Sequence, residues 1–594
     1  MKDAAIPNTL TIPPNMGRVV YEFGAVSFTS MRNFGVRSIY TLIISNEGVL
    51  SRKGYVQTSV DLRVKSLLYL RKAGKGSVAM SNINPKWGSW SIPPKPFRKD
   101  EFDEIMHTQV LVIGAGIAGL SCAYSAAETG CKVTVIEKLA SYHGFAHNVG
   151  VVNSRFMRSL GIVNDPDEVA REWIKRCGNR CDERLVQIFT HKSEEAMNWA
   201  LDLAEKPEYG GVKINLQGAA YKGETYNELY GAHCFYDGPV ARQGKFGGLN
   251  ELMEPMYRES LKLGTEFLFN TTMLQLIKEG THVVGAAART KEGRLIAVYA
   301  SMGVLLATGG IGGNDEMCED LCPLANKVAV KVNVPKGVDL GEGHRAALWA
   351  GAAFEDTPFP TMMHPQAIRH SNYCFMFVTP KGKRFMNEDN YLQGRSLGII
   401  KTGYKWCWTI FDSAWSEKIP QTLEYGGGIY WGESFDYVGG KAFDEEETGK
   451  KIRQSLEAGS SVQADTPREL AEKMGIDPDV FEETFNNYNK MCRNGHDDEF
   501  GKRKELLIPL DKPPFIARKF GAALLSVVGG VKVDEKFRAL DEHNDPVPGL
   551  YVLGNIMAGR YGVDYPMLLP GNSTGSGLTY GYLLGRAFGE EVKK

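Results

Sequence analysis

The chain has 594 residues, of which 43% are hydrophobic and 23% charged, and its 69 basic residues nearly balance its 70 acidic ones. A single core rarely organises so many residues, so we expect a globular protein of two or three domains. The balanced charge argues against a nucleic-acid surface or an anionic-lipid partner and favours an enzyme that acts on a small molecule.

Residues 1–105 are predicted to form a small β-rich extension and a linker. Residues 1–16 show neither the pattern of a signal peptide nor a twin-arginine motif. The β-prone runs 18–23 and 38–44 are separated by turn residues, and the proline-rich segment 92–96 leads to the next domain. No function is assigned to this extension from its sequence.

No apolar run in the chain reaches the roughly 20 residues that span a bilayer. We therefore expect a cytoplasmic protein without a membrane span, whose ten cysteines are in a reducing compartment. Cys177/Cys181 and Cys318/Cys322 form two C-x3-C pairs, a spacing that does not favour zinc or an iron–sulfur cluster. We predict no metal site.

The most informative motif is a buried strand, Val110–Ile113, that leads into Gly114, Gly116 and Gly119. Gly114 permits a tight turn and Gly116 lets the backbone approach a pyrophosphate. Gly119 lets the helix predicted over residues 118–128 pack on the strand, and the N–H groups that begin this helix face the phosphates. The motif predicts a dinucleotide-binding, doubly wound α/β fold.

An acidic residue and a series of further strands extend this pattern. Glu137 follows a strand at 133–136, where a carboxylate can accept hydrogen bonds from ribose hydroxyls. Strands alternate with helices after this point, as a doubly wound sheet requires. The later predicted elements are a helix in 247–263, a strand at 266–269, a hairpin of 283–286 with 295–299, and a buried strand at 303–306 that ends in glycines.

The C-terminal part of the chain returns to the same pattern. Residues 549–555 form a short strand that runs into a glycine, and the polar loop 571–579 opens a helix predicted from Leu578 to Glu590. The first N–H groups of a helix are unpaired and carry the positive end of its dipole. We expect this helix to contact the same cofactor as the first glycine motif.

These separated segments together resemble the FAD-dependent fumarate reductase and 3-ketosteroid dehydrogenase superfamily over about residues 106–594. The resemblance implies a Rossmann-like FAD-binding domain, formed by residues 106–357 and 517–594. It is interrupted by an α+β cap at residues 358–516, hereafter the cap segment. The other matching segments are Ala307–Gly310, Gly341–Gly343, Lys383–Glu388, Gly529–Val531 and Pro548–Asn555.

The resemblance implies FAD rather than NAD, because a nicotinamide enzyme would not need the late glycine strand and terminal helix. His147 is similar to a histidine that some members attach covalently to FAD, and is otherwise expected to line the flavin site. The residues expected to hold FAD are Gly114, Gly116, Ala118, Gly119, Glu137, Lys138, His147, Thr308, Gly309, Gly310, Asn387, Glu388, Gly554, Asn555, Ser576, Gly577, Leu578 and Thr579.

Three catalytic residues are also implied by the resemblance. Arg395 follows the Lys383–Glu388 signature as the proton-donating arginine of fumarate reductases does, but after seven residues where about four are typical. His364 matches a histidine that contacts substrate or a proton relay. Tyr565, followed by proline, is similar to the tyrosine that binds the ring ketone in 3-ketosteroid dehydrogenases. Tyr391 and Tyr561 are weaker acid–base candidates.

The substrate is expected to be apolar. Fumarate reductases have histidine and threonine before Gly-Gly-Val, whereas this chain has Leu524–Val528, and an apolar wall leaves a dicarboxylate unpaired. We therefore expect an oxidoreductase that forms or reduces a C=C bond conjugated to the carbonyl of a 3-oxosteroid or bile-acid-like substrate. The alternatives are a reductase of a fumarate-, urocanate- or aryl-acrylate-type carboxylate and a flavoprotein electron-transfer subunit. An external electron donor or acceptor is required.

Overall fold

The computed structural model describes residues 87–144, 146, 148–209, 211–217, 223, 227–245, 247–332, 336–367, 374–427 and 443–592. These residues belong to one compact unit, Ser81–Lys594. The predicted β-rich runs before residue 87, and the expectation for His147, lie outside the described residues.

The described residues form thirteen helices and seventeen strands. The helices are α1 (Ile117–Glu128), α2 (Arg155–Ser159), α3 (Pro166–Arg176), α4 (Glu183–Ala204), α5 (Leu249–Lys262), α6 (Asp315–Leu321), α7 (Glu342–Ala350), α8 (Leu392–Lys401), α9 (Trp415–Thr422), α10 (Glu445–Glu457), α11 (Pro467–Met474), α12 (Pro478–Asn494) and α13 (Asn572–Val592). The strands are β1 (Glu104–Ile113), β2 (Val133–Ile136), β3 (Asn148–Gly150), β4 (Lys213–Gln217), β5 (Ala232–Tyr236), β6 (Glu266–Leu268), β7 (Thr271–Glu279), β8 (His282–Thr290), β9 (Leu295–Leu306), β10 (Val330–Lys331), β11 (Thr361–Ala367), β12 (Met376–Val378), β13 (Cys407–Asp412), β14 (Ser461–Ala464), β15 (Phe515–Val527), β16 (Arg538–Leu540) and β17 (Pro546–Val552).

The main sheet has eight strands, in the order β16-β17-β9-β1-β2-β6, with β7 and β8 joined to it through β9. β1 runs parallel to β2 and to β9, with Ile113 opposite both Ile136 and Leu306. The carboxyl ends of these three strands therefore lie side by side. Gly114, Glu137 and the glycines after β9 follow directly at that edge, where open α/β sheets bind ligands.

Two strand predictions differ from the structure. Residues 295–299 and 303–306 were expected as separate strands, but β9 is continuous, because its pairing with β1 extends from Ile296 to Leu306 past an irregularity at Thr108. β7 was not predicted, and it forms the outer partner of the β8–β9 hairpin. Its residues, which include Lys278 and Glu279 at its end, do not give a clean apolar alternation.

The predicted start of the terminal helix at Leu578 is wrong, because α13 begins at Asn572. Asn, Ser, Thr and Gly are poor helix formers, so local propensity favours a loop there. Packing overrides that preference along a stripe of glycines four residues apart. A Cβ on Gly581 would lie 2.6 Å from the carbonyl oxygen of Ala118, and one on Gly585 would lie 2.6 Å from the Cβ of Ser125. The stripe lets α13 pack directly on α1.

Replacing Gly581 with alanine is expected to destabilise the protein by about 1–3 kcal/mol, because the added methyl group overpacks the α1–α13 interface. Gly449→Ala in α10 is the matched control. Its new Cβ lies 3.3 Å from the flexible end of Arg453 and makes ordinary van der Waals contact with Trp415 at 3.5 Å, so it is expected to be neutral or stabilising by about 0.5–1 kcal/mol. Urea unfolding of both variants checks the difference, and equal midpoints would contradict this packing role.

A second sheet of six strands is centred on β15. β11, β13 and β14 pair with β15 antiparallel, β10 pairs with it parallel, and β12 pairs with β13. The boundary predicted between residues 516 and 517 falls inside β15, so one strand continues from the cap segment into the C-terminal segment. β11 and the second half of β15 thus bring the cap segment to the edge of the main sheet.

Three further observations concern the described residues. A three-stranded sheet, β3-β5-β4, packs beside α13. The ten cysteines, all within the described ranges, form no disulfide, and no three His, Cys, Asp or Glu side chains in those ranges are grouped as metal ligands would be. None of the helices within those ranges combines the length and the apolar character that a membrane crossing requires.

Candidate active site

A cavity of about 520 Å³ lies where the main sheet meets β11 and β15. It brings together ten of the residues expected to hold FAD and two of the three expected catalytic residues. These twelve lining residues are Gly114, Gly116, Ala118, Glu137, Lys138, Thr308, Gly309, Gly554, Asn555, Gly577, His364 and Tyr565.

The glycine turn after β1 has the shape that a pyrophosphate requires. Gly114 has φ +105°, and a Cβ there would lie 2.4 Å from the carbonyl oxygen of Ala307. Gly116, the N-cap of α1, has no atom within 4 Å of its Cβ position, so open space lies beside its backbone. Gly119 does not line the cavity, and its Cβ would lie 1.9 Å from the carbonyl oxygen of Gly114. Gly119 therefore allows close helix–strand packing.

Glu137 is fixed in place by the backbone around it. Its two carboxylate oxygens accept hydrogen bonds from the N–H groups of Ala115 at 2.7 Å and Leu139 at 2.8 Å. Lys138 forms an ion pair of 2.8 Å with Glu342. The carboxylate of Glu137 is thus oriented at the cavity wall and retains lone pairs for ribose hydroxyls.

Buried polar atoms at the cavity fit a polar cofactor. The hydroxyl of Thr308 and the Nε2 atom of His143 are buried and have no hydrogen-bond partner among the described residues. Both residues line the cavity. Because a buried polar group without a partner is costly, a ligand with hydrogen-bonding groups is the expected partner. The adenosine diphosphate half of FAD supplies such groups.

Replacing Glu137 with glutamine is expected to weaken FAD binding about 10–100-fold, because charge-assisted hydrogen bonds contribute about 1.5–3 kcal/mol. Titration of the apoprotein with FAD, followed by flavin fluorescence, measures this change. Glu266→Gln, at an exposed position on the neighbouring strand β6, is the control and should bind FAD as the unchanged protein does. Equal affinities for both variants would contradict the role of Glu137.

Four other expected FAD residues lie near the cavity but behind its wall. The N–H group of Gly310 donates to Asp339 at 2.8 Å. The hydroxyl of Ser576 donates to the carbonyl of Ser573 at 3.0 Å, and that of Thr579 donates to the carbonyl of Gly575 at 2.8 Å. Leu578 is fully buried in an apolar cluster. These four residues support the start of α13 and the loop after β9.

Asn387 and Glu388 were expected at the flavin, and the structure places neither in the cavity wall among the described residues. Glu388 is fully buried and binds Arg384 through two hydrogen bonds of 3.0 and 2.8 Å. Its carboxylate lies 3.4 Å from the Nζ atom of Lys502. Asn387 accepts a hydrogen bond from the N–H group of Asp389 at 2.8 Å. This part of the signature belongs to a buried ion network in the cap segment.

The cap segment contributes alternate residues of β11 to the cavity. Met362, His364 and Gln366 line it, as the two-residue period of a strand requires. The pKa of His364 is lowered to about 3, mainly by burial and also by the positive charge of Arg395, against the opposing effect of a hydrogen bond with Gln366. The imidazole is therefore neutral at neutral pH.

Arg395 is fully buried in α8 and is not among the described residues that line the cavity. Its neighbour Gln393 anchors α8 to β11 by accepting from the N–H group of Met363 at 2.8 Å. Gln393 also donates to Thr361 at 3.0 Å and to Asp564 at 2.9 Å. What connects Arg395 with the cavity is its positive charge, which lowers the pKa of the lining residue His364.

Tyr565 lines the cavity next to the start of α13. Its phenolic oxygen accepts a hydrogen bond from the N–H group of Ser573 at 3.3 Å, which leaves its own O–H to donate. Burial raises its pKa well above 10, while the N–H groups of Ser573 and Asn572 oppose that shift. The phenol therefore stays protonated. Tyr561 lies behind this wall and donates to Asn572 at 3.0 Å.

Several lining residues were missed by sequence reasoning. Gln366 follows His364 by two positions on β11, and this alternation is a signal that could have found it. Met567 has φ +42°, a left-handed conformation that a bulky residue rarely adopts and that often marks a functional site. Leu525 and Ser526 also line the cavity, and they were not missed, because they belong to the stretch Leu524–Val528 that was expected to form its apolar wall.

This α/β fold, with its glycine turn, its oriented acid and a cavity that holds unpartnered buried polar atoms, defines a dinucleotide-binding flavoprotein. A family model described as an FAD binding domain matches residues 109–573, so the chain belongs to that family. The cofactor is FAD, and the protein is an oxidoreductase of the class that acts on CH–CH groups.

Similar proteins are named for two kinds of substrate, uncharged molecules and carboxylates. The chain is 26% identical to a vinyl phenol reductase from Lactiplantibacillus plantarum, over 81% of this chain and 96% of that protein. It is 25% identical to a 3-oxosteroid 1-dehydrogenase from Mycolicibacterium smegmatis, over 80% of this chain and 96% of that protein. The open conformation of a flavocytochrome c3 fumarate reductase has the same fold, with a TM-score of 0.62 and 20% identity. The match covers 85% of this chain and 83% of that chain.

Proposed function

We propose that the protein forms or reduces a C=C bond conjugated to the carbonyl of an uncharged, largely apolar substrate. A 3-oxosteroid or bile-acid-like ring ketone is the leading candidate. One observation carries the proposal: the apolar side chains of Met362, Leu525 and Met567 line the cavity together with Tyr565. Lys138 is the one lysine or arginine among the described lining residues, and it is paired with Glu342.

Apart from the paired Lys138, the described lining residues include no lysine or arginine, and this bears on the alternative substrates. Transferring an ionised carboxylate to an apolar wall without a partner costs several kcal/mol. A fumarate-, urocanate- or aryl-acrylate-type substrate would bring at least one such carboxylate. Relatives of similar identity are named for vinyl phenol, a 3-oxosteroid and fumarate, so the substrate proposal rests on the lining of the cavity.

The roles proposed for the side chains follow from their geometry. Bound FAD supplies or accepts the hydride. Tyr565 donates its O–H to the substrate carbonyl, and the first N–H groups of α13 hold the phenol in that orientation. His364 is neutral, so it can pass a proton between its two ring nitrogens. Because Arg395 does not reach the cavity wall, any proton that it supplies must pass through a lining group, and His364 is adjacent.

A substrate screen with the purified, FAD-loaded protein tests the proposal. Reduced methyl viologen would be the electron donor, and the acceptors would be 4-androstene-3,17-dione, 4-vinylphenol, fumarate and urocanate. A dye acceptor with the saturated 3-oxosteroid tests the reverse direction. We expect turnover with an uncharged substrate and none with the carboxylates. Turnover with fumarate or urocanate alone would overturn the proposal.

The electron-carrier alternative is tested by anaerobic stopped-flow measurements. The flavin is reduced with dithionite and mixed with each uncharged acceptor. We expect reoxidation within the time of one steady-state turnover. Reoxidation by a partner flavoprotein or cytochrome, with no response to any small acceptor, would support the carrier instead.

A further inference from the structure

A buried arginine lies behind the cavity wall, at the start of α13. Arg560 is 2% exposed. Its guanidinium donates to the carbonyl of Gly554 at 2.8 Å, the hydroxyl of Ser576 at 2.7 Å and the hydroxyl of Tyr561 at 3.4 Å. It also lies over the ring of Tyr561, 4.7 Å from the centroid. The Nε atom has no hydrogen-bond partner among the described residues.

All three acceptors of Arg560 are neutral. No carboxylate of the described chain lies within 4.0 Å of the guanidinium, whereas buried arginines are normally paired with an acid. The acid that interacts with it electrostatically is Glu355, which instead accepts hydrogen bonds from Gly530 at 2.9 Å and Gly559 at 3.3 Å. Burial raises the pKa of Glu355 to about 7, so near neutral pH its charge offsets only part of that of Arg560.

The guanidinium of Arg560 is separated from the cofactor cavity by only one or two residues, along two routes. Gly554, which accepts from Arg560, lines the cavity, and Ser576 precedes Gly577, which also lines it. Both glycines pack on the first turn of α1, since a Cβ on Gly554 would lie 3.3 Å from the Cβ of Ala118. In a protein interior the effective dielectric is low, so a charge acts strongly over such a distance.

We propose that Arg560 is a positioning residue whose uncompensated charge favours the reduced form of the bound flavin. When FAD takes up two electrons and one proton, the cofactor gains one negative charge. A fixed buried cation lowers the free energy of that product without reorganisation, whereas a neutral side chain does not. Arg560 also anchors Gly554 to Ser576, and this anchoring must be separated from its charge. The proposal depends on FAD binding and not on the identity of the substrate.

The test is the midpoint potential of the flavin in the FAD-loaded protein, measured by anaerobic equilibration with a reference dye. Arg560→Met removes the charge, and Arg560→Lys keeps it with fewer hydrogen bonds. We expect Arg560→Met to lower the equilibrium constant for reduction at least tenfold, a shift of about −30 mV for a two-electron couple. Arg560→Lys should retain most of the original potential.

Two further variants keep the test decisive if Arg560→Met fails to retain FAD. Ser576→Ala removes one anchor but leaves the charge, so it should lower the melting temperature and leave the potential unchanged. Glu355→Gln removes the offsetting charge, so at pH 8 it should make the potential more positive.

An anchoring role alone predicts unchanged potentials in Arg560→Met and Glu355→Gln, and that result would overturn the proposal. An equal shift in Arg560→Met and Arg560→Lys would also overturn it.

Discussion

Replacing Arg384 with methionine is expected to lower the free energy of unfolding of the cap segment by about 3–5 kcal/mol, because it leaves buried carboxylates without their cation. The side chain of Arg384 is 1% exposed. It donates hydrogen bonds of 2.8–3.0 Å to both carboxylate oxygens of Glu388 and to both of Asp497. Lys502 is the second buried cation beside Glu388. The network sits in the core of the cap segment, where water cannot replace a missing partner.

Urea unfolding followed by tryptophan fluorescence measures this loss. Arg468→Met is the matched control, because Arg468 pairs with Asp479 and Glu482 at the exposed surface. Exposed ion pairs contribute little to stability, so the control should unfold at nearly the same urea concentration. If both variants unfolded at the original midpoint, the buried network would not support the cap segment.

The same network predicts an acid-sensitive cap segment. The Arg384 guanidinium lowers the pKa of Asp497 to about 2, and the pKa of Glu388 is lowered by Lys502 and Arg384 against the effect of burial. A carboxylate whose pKa is lower in the folded state stabilises the fold above its unfolded pKa, near 4. That stabilisation is lost as the pH falls towards 2. Urea midpoints measured between pH 7 and pH 3 should fall more steeply for the unchanged protein than for Asp497→Asn.

The sequence predicted best what local backbone chemistry determines. The turn at Gly114 requires a positive φ, and the position of Gly119 requires a residue without a Cβ because another backbone lies against it. Glu137 is recognisable because it is an acid that directly follows a short strand. Each requirement is satisfied within about thirty residues, so the pattern is readable without the tertiary structure. The same reasoning identified α1, β2 and the mixed α/β fold.

The parts that could not be predicted depend on distant contacts. Glu388 follows Arg384 by four residues, but its burial against Lys502 is decided by how the cap segment folds. Arg395 is a reasonable proton donor by position in the chain, and only the packing of α8 on β11 shows that it lies behind His364. The early start of α13 likewise depends on distant contacts, because its first turns pack on the backbone of Gly150 and on the start of α1.

Tyr565→Phe is expected to lower kcat/KM for an uncharged enone about 100- to 1000-fold while FAD binding is retained. Removing one donor that stabilises a developing oxyanion has an effect of that size. The substitution removes only the hydroxyl, which meets the N–H group of Ser573 at 3.3 Å, and keeps the ring that packs on Tyr561 at 5.4 Å. The change should fall mainly on kcat, because the hydrogen bond strengthens as charge develops on the carbonyl oxygen.

Tyr561→Phe is the control for this prediction, because Tyr561 is buried behind the cavity wall and donates to Asn572. It should alter thermal stability more than turnover. The phenol of Tyr565 keeps its proton well above neutral pH, so the loss in Tyr565→Phe should be independent of pH between 6 and 9. A variant that kept full turnover would show that another donor polarises the carbonyl. A loss confined to one side of that pH range would indicate proton transfer by Tyr565, because hydrogen bonding alone does not titrate there.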